Sequence, residues 1–131
     1  MDEVLRFLQE NSIFYLATVE GNQPRVRPFG FVLAHQGKLY FCTTNQKKVY
    51  HQLQANPQFE ISTASTKGEW LRLQGRAVFN STREIKQLAL EASPLLQKLY
   101  SIDDPTFELF YINDAEATFA DMSGSSRTIK L

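Results

Sequence analysis

The chain has 131 residues, 43% of them hydrophobic and 21% charged, and its 14 basic and 14 acidic side chains leave a formal net charge of zero. This fits one globular domain with a real core and excludes the broad basic footprint of a general nucleic-acid binder. One cysteine allows no internal disulfide, no apolar run nears the roughly 18 residues that span a membrane, and the opening MDEVLRFLQEN lacks a signal-peptide core, so a cytoplasmic protein without a membrane partner is expected.

Val4, Leu5 and Leu8 recur at helical spacing, so Asp2 to Glu10 reads as a short helix with one face on a sheet. Ile13 to Val19 is a β-rich apolar run, and Glu20-Gly21-Asn22-Gln23 is a turn. Pro24 to Leu33 is read as a second strand, with Arg25, Arg27, Phe29 and Phe31 on one face and the more apolar Val26, Pro28, Gly30 and Val32 on the other. Pro28 lacks an N–H, so this strand lies at an edge or kinks there. Gly30 allows a bulge or a close backbone approach. One reading of the arginines is a solvated pair; the other is that one of them meets an anion beside an irregular backbone.

Lys38 to Thr43 is a third strand, after a turn at His35-Gln36-Gly37. Thr43, Thr44 and Asn45 then precede an amphipathic helix carrying Val49 and Leu53, with Lys47 and Lys48 in its first turn. A helix start offers free N–H groups and a partial positive charge, which disfavours lysines unless an anion is bound. A plain alternative is that Thr44 or Asn45 caps the helix and both lysines are solvated. Asn56-Pro57 ends the helix.

Gln58 to Ser65 is the fourth strand and Glu69 to Phe79 the longest, with Leu71, Leu73, Ala77 and Phe79 on its apolar face. Trp70, Arg72, Gln74 and Arg76 share its other face, which suits a subunit interface or a ligand wall, or else a polar surface with a half-buried indole. Ser81 and Glu84 have capping-box spacing, so a helix is expected from about Thr82 to Ala92, interrupted at Ser93-Pro94 and resumed over Leu95 to Tyr100. Phe107 to Asn113 and Glu116 to Met122 read as a closing hairpin about Asn113-Asp114-Ala115, followed by a flexible Ser-Gly-Ser-Ser link and a tail, RTIKL. The fold class is therefore mainly β (α+β): a six- to seven-stranded antiparallel barrel with short flanking helices.

The histidines His35 and His51 read as surface or packing residues, and Cys42 as a small core residue. P-loop and Rossmann glycine signatures are absent.

IFYLATVEGNQPRVRPFGFVL, LYFCTTNQKKVYHQLQANPQFEIS and EWLRLQGRAVF, in that order, resemble the pyridoxamine 5′-phosphate oxidase-like group of flavin-binding split β-barrels over nearly the whole chain. The resemblance implies an FMN-binding homodimer with the cofactor between its subunits. It implies that Arg25 or Arg27 and Lys47 or Lys48 meet the phosphate. Pro28 and Phe29 would border the ring through backbone, and Thr43 and Thr44 would bond the ribityl-phosphate part. Trp70, with Arg72 or Gln74, would come from the other subunit. The family's vitamin B6 oxidases carry a longer C-terminal segment with a tryptophan and arginines, whereas Trp70 is the one tryptophan here. The expectation is thus a short member acting as an oxidoreductase, flavin- or nitroreductase-like or oxidase-like, on a small molecule. The alternatives are a non-catalytic flavin, F420 or haem binder serving a stress response, and a scaffold that has lost its cofactor.

Overall fold

The computed structural model describes residues 1–131. The chain runs α1 (Asp2–Glu10), β1 (Phe14–Glu20), β2 (Gln23–Phe29), β3 (Leu33–His35), β4 (Lys38–Thr44), α2 (Lys48–Ala55), β5 (Gln58–Ala64), β6 (Glu69–Phe79), α3 (Arg83–Ala92), α4 (Pro94–Leu99), β7 (Phe107–Asp121) and β8 (Ser126–Lys130). The strands form one antiparallel sheet in the order β2-β1-β5-β6-β7-β4-β3, with β8 added on β7. It has eight strands, one more than the upper end of the sequence-based expectation.

The sheet curls into a split barrel because its inward residues form one core. Phe14 and Leu16 of β1, Phe41 of β4, Ile61 of β5, Leu73 of β6 and Phe110 of β7 are all buried in the same cluster. Phe14 and Phe41 come from strands near opposite ends of the sheet order, yet their rings meet edge to face at 5.9 Å. A smaller cluster lies outside the barrel, where Ile85, Ala89 and Leu96 of α3 and α4 cover Tyr40, Phe107 and Leu109. The alternation of β4 and β7 serves both sides at once.

The closing hairpin expected about Asn113-Asp114-Ala115 is not there. β7 runs unbroken through those residues, and the register against β6 jumps from Arg76↔Asn113 to Gln74↔Glu116. Asp114 sits at φ +51°. The extra residue flips the parity of the strand. Ile112 faces the core before it; Ala115, Ala117 and Phe119 face the core after it. Burying Phe119 alone is worth about 1.5–3 kcal/mol, more than the ~1 kcal/mol of a lost ladder hydrogen bond. The phase jump that reads as a turn is therefore a bulge. The real hairpin is one step later: Ser123 and Gly124, in the link expected to be flexible, turn the chain, and the tail after it pairs with β7 as β8. Arg127 of β8 then ion-pairs with Glu3 of α1.

Other boundaries move for local reasons. The second strand stops at Phe29, and residues 30–32 cross to the short β3. β2 is a terminal strand of the sheet, as Pro28 requires. Its two faces are the reverse of a simple apolar-in pattern. Val26 is 67% exposed, while Arg27 lies opposite the buried Leu16. Ser81 does not cap α3; Thr82 does, accepting from the Ile85 N–H at 3.3 Å. Ser81 instead donates to Glu108 at 2.6 Å and accepts from the Leu109 N–H at 2.9 Å.

Gly75 faces the bulge. A Cβ there would lie 2.6 Å from both the Asn113 carbonyl oxygen and Ile112 Cγ1. Gly75→Ala is expected to lower unfolding free energy by about 1–3 kcal/mol, read from urea denaturation. An unchanged midpoint would contradict this close approach.

Candidate functional site

Where the chain leaves β2, a cavity of about 470 Å³ opens between that segment, β4 and α4. Its size is within the usual range for small-molecule sites, roughly 300–1,000 Å³. Pro28, Phe29, Gly30 and Phe31 make one wall and Cys42 with Thr43 another. Leu95, Leu99 and Tyr100 make a third, and Lys47 stands at the rim. Phe29 is anchored edge-on against Phe110 at 6.3 Å, and Tyr100 is stacked on Phe107 at 4.5 Å. The walls are thus fixed from behind by both clusters.

Thr43 is 4% exposed, and its hydroxyl is the one buried side-chain polar atom without a hydrogen-bond partner. Leaving a buried hydroxyl unsatisfied costs about 1–3 kcal/mol. Thr43 is also one of the residues lining the cavity.

The N-terminus of α2 lies beside it. Lys47 is the N-cap residue, and no side chain caps the helix. The capping reading for Thr44 or Asn45 therefore fails. Thr44 accepts from the Gln46 N–H at 3.2 Å within the preceding turn. Asn45 donates to the Pro105 carbonyl at 3.0 Å and Glu108 at 2.9 Å. Two exposed lysines at an uncapped helix start leave its N–H groups and positive charge available to an anion.

Lys48 turns to the other flank of α2, where a second cavity of about 530 Å³ is lined by Glu20, His51 and Gln52. Arg25 pairs with Glu20 at 3.0 Å; both are about half exposed, so the pair adds little stability. The Arg25 bond, with a second from Gln52, holds the Glu20 carboxyl below its ordinary range. Arg27 reaches into the seam between β1 and α2, donating to the Leu16 carbonyl, Thr18 and Gln52. Burial, with the Arg25 charge as a second cause, depresses the Arg27 pKa; guanidinium still stays charged at neutral pH.

Of the expected site residues, Pro28, Phe29, Thr43 and Lys47 therefore share one cavity. Arg25 and Arg27 line neither cavity, Lys48 lines the second, and Thr44 ends β4. Trp70, Arg72 and Gln74 lie on the outer face of β6, opposite Ala64, Ser62 and Glu60 of β5, and line no cavity with Thr43. Sequence reading missed the α4 wall and Gln52. Ser93-Pro94 signals the start of α4 but not which surface it covers. Gln52 is one of several amide side chains between Asn45 and Asn56, and nothing in its spacing marks it as buried.

Neither histidine lines the cavity, and no group of three or more His, Cys, Asp or Glu is arranged to hold a metal ion. Burial pushes the Cys42 thiol up to about 12, against the weaker opposing pull of Lys47. The thiol is therefore a wall, not a nucleophile.

Thr43→Val removes the orphan hydroxyl at nearly constant shape, and is expected to raise the stability of the ligand-free protein by about 1 kcal/mol in urea denaturation. A loss would mean the hydroxyl has a partner. Cys42 keeps its proton in the folded state above about pH 8.5, where the unfolded thiol ionises. Stability should therefore fall as pH rises from about 8.5 towards about 12. Cys42→Ala should show a shallower fall over that window; identical slopes would mean the thiol is not shifted.

The family profile for pyridoxamine 5′-phosphate oxidase matches residues 1–119. A NimC/NimA family protein from Clostridium acetobutylicum is 46% identical, with a TM-score of 0.96 over 100% of this chain and 92% of that one. A pyridoxamine 5′-phosphate oxidase-related FMN-binding protein from Nostoc punctiforme is 16% identical, with a TM-score of 0.67 over 99% and 95% of the two chains. A haem-binding protein from Mycobacterium smegmatis is 18% identical, with a TM-score of 0.71 over 92% of this chain and 53% of that one. No curated protein matches. At such low identity the last two structures show the shared split-barrel fold alone. The match over residues 1–119 and the 46% relative show more: the chain belongs to the pyridoxamine 5′-phosphate oxidase family.

Proposed function

We propose that the protein binds FMN and works as an FMN-dependent oxidoreductase on a small molecule. The observation that carries this reading is the orphan Thr43 hydroxyl in a cavity whose rim is the uncapped, lysine-bearing start of α2. A flavin nucleotide matches both features, since it joins a flat, mostly apolar ring to a hydroxylated chain and a phosphate. Phe29, Phe31 and Leu99 suit the ring; Thr43 suits the ribityl hydroxyls; Lys47 and the α2 N–H groups suit the phosphate.

When bound, the flavin supplies the redox chemistry, accepting and returning hydride. The chain's residues need only bind, orient and exclude water. This agrees with a cavity whose ionisable lining groups are Lys47, Cys42 and Tyr100, the last two with pKa values raised by burial. The same lining argues against haem, which usually takes a proximal histidine.

The working unit in this reading is a homodimer. Trp70, Arg72 and Gln74 line no part of their own chain's cavity, and the outer face of β1 and β2 exposes Tyr15 and Val26. A second copy seated on that face would cover the apolar residues and bring an indole and a guanidinium to the cavity mouth. No helix is long and apolar enough to cross a membrane. With a single free thiol, a reducing cytoplasmic setting fits.

Lys47→Glu combined with Lys48→Glu tests the phosphate end. Each charge-assisted bond is worth about 1.5–3 kcal/mol, so FMN affinity should fall on the order of 100-fold or more, by flavin fluorescence titration, with the melting temperature kept. Unchanged affinity would put the phosphate elsewhere. Steady oxidation of NADH or NADPH with an added acceptor would support turnover, and bound flavin without turnover would favour a storage or sensing role.

A further inference from the structure

Three of the eight large hydrophobic side chains exposed on this chain line one cavity, the one that holds Thr43. They are Ile13, 64% exposed, with Leu95 and Leu99 of α4, 64% and 59% exposed. Side chains that both line a cavity and face solvent form its mouth. Exposed apolar groups scattered singly are ordinary, but several gathered at one opening mark a binding surface.

Their backbones are fixed. The Thr63 hydroxyl donates to the Ile13 carbonyl at 3.1 Å. A Cβ on Gly30 would lie 3.3 Å from the Ser12 carbonyl oxygen, so the segment before β1 packs against the exit of β2. On α4, the Ser93 hydroxyl accepts from the Leu96 N–H at 3.2 Å, and the Gln97 amide donates to the Leu90 carbonyl at 2.7 Å. Leu96 is 4% exposed and anchors α4 in the outer cluster. Leu95 and Leu99, four residues apart, share a face of that helix. A fixed backbone thus holds apolar side chains in water, which is unfavourable until an apolar group covers them.

The charges are arranged the opposite way. Lys47 is the one lining residue charged at neutral pH, since burial keeps both the Cys42 thiol and the Tyr100 hydroxyl protonated. α4 carries one cation, Lys98, and it is absent from the lining. With Lys47 engaged by a cofactor phosphate, this chain's lining offers no charge to pair with a substrate anion. Taking an unpaired anion out of water costs far more than taking an uncharged ring.

We propose that Ile13 and Leu95 are specificity residues of this cavity, seating an uncharged substrate with an apolar ring. The substrate role rests on the FMN function proposed above; the binding of such a ring at Ile13 and Leu95 does not. The family is named for a phosphorylated substrate; this mouth suits the opposite class. Arg72 of a second copy is the cation that the proposed dimer would add there, so the test includes a charged probe.

Equilibrium dialysis of the FMN-loaded protein compares 2-naphthol, uncharged at neutral pH, with 2-naphthyl phosphate, the same ring bearing a dianion. 2-Naphthol is expected to bind at least ~10-fold more tightly. Leu95→Ser and Ile13→Ser should each weaken it roughly 5-fold, while FMN affinity changes less than about 2-fold. Leu95→Lys should raise affinity for 2-naphthyl phosphate roughly 3-fold. Equal or tighter binding of the phosphate by the unsubstituted protein overturns the inference. So does unchanged 2-naphthol binding in both serine variants. An equal loss of FMN in those variants also overturns it, since the residues would then belong to the flavin's own site. A changed elution volume on gel filtration, with 2-naphthol binding unchanged, would assign the patch to a subunit contact and overturn it too. If the protein takes no FMN, the dialysis is run without it. 2-Naphthol binding that falls in the serine variants then upholds the mouth while the flavin reading falls; binding that is absent, or does not fall, ends both.

Discussion

An arginine without a counter-ion organises this molecule. Arg27 sits between the edge strand β2 and the helix α2, held by a carbonyl, a hydroxyl and an amide. Burying a charge is unfavourable unless something compensates it. Here the protein supplies hydrogen bonds but leaves the charge standing. The uncapped start of α2 and the lysines Lys47 and Lys48 add to the same local excess in a chain whose net charge is zero. An electrostatic imbalance of this kind favours an anion nearby.

The start of α2, with Lys47, borders an apolar slot. Pro24 and Pro28 confine β2 to the edge of the sheet, and the chain that leaves it after Phe29 forms a wall of the cavity. α4 supplies the opposite wall because Leu96 is buried against the outer cluster while Leu95 and Leu99 stay exposed. Between the walls, Thr43 carries a hydroxyl that nothing in the chain satisfies. Lys47 at the rim, Thr43 within, and Phe29, Phe31 and Leu99 on the walls give the cavity a cation, a hydroxyl and apolar surfaces.

Much of this is legible in the sequence. The order of helices and strands follows the hydrophobic pattern, and the Ser93-Pro94 break, the edge position of Pro28 and the helix start near Lys48 are all where local chemistry puts them. The misreadings have one physical source, which is that tertiary packing can use a local signal in two ways. The phase shift at Asn113-Asp114 could be a turn or a bulge, and only the pairing with β6 on both sides of it decides for a bulge. Ser81 has capping spacing, but its hydroxyl is taken by Glu108, distant in sequence. Arg25 and Arg27 alternate identically on β2, and what distinguishes them is the placement of Glu20 and Gln52 around them. Gln52 itself carries no signal, since a glutamine on a helix is ordinarily solvated.

Central to the proposed function is that the site beside α2 and Thr43 is built for FMN. The most direct test is the visible absorption spectrum of the purified protein, after incubation with FMN where needed, together with the mass of the molecule it releases on unfolding. A flavin spectrum and the mass of FMN are the predicted result. A protein that stays colourless with micromolar FMN, or one that releases haem or F420, would contradict it.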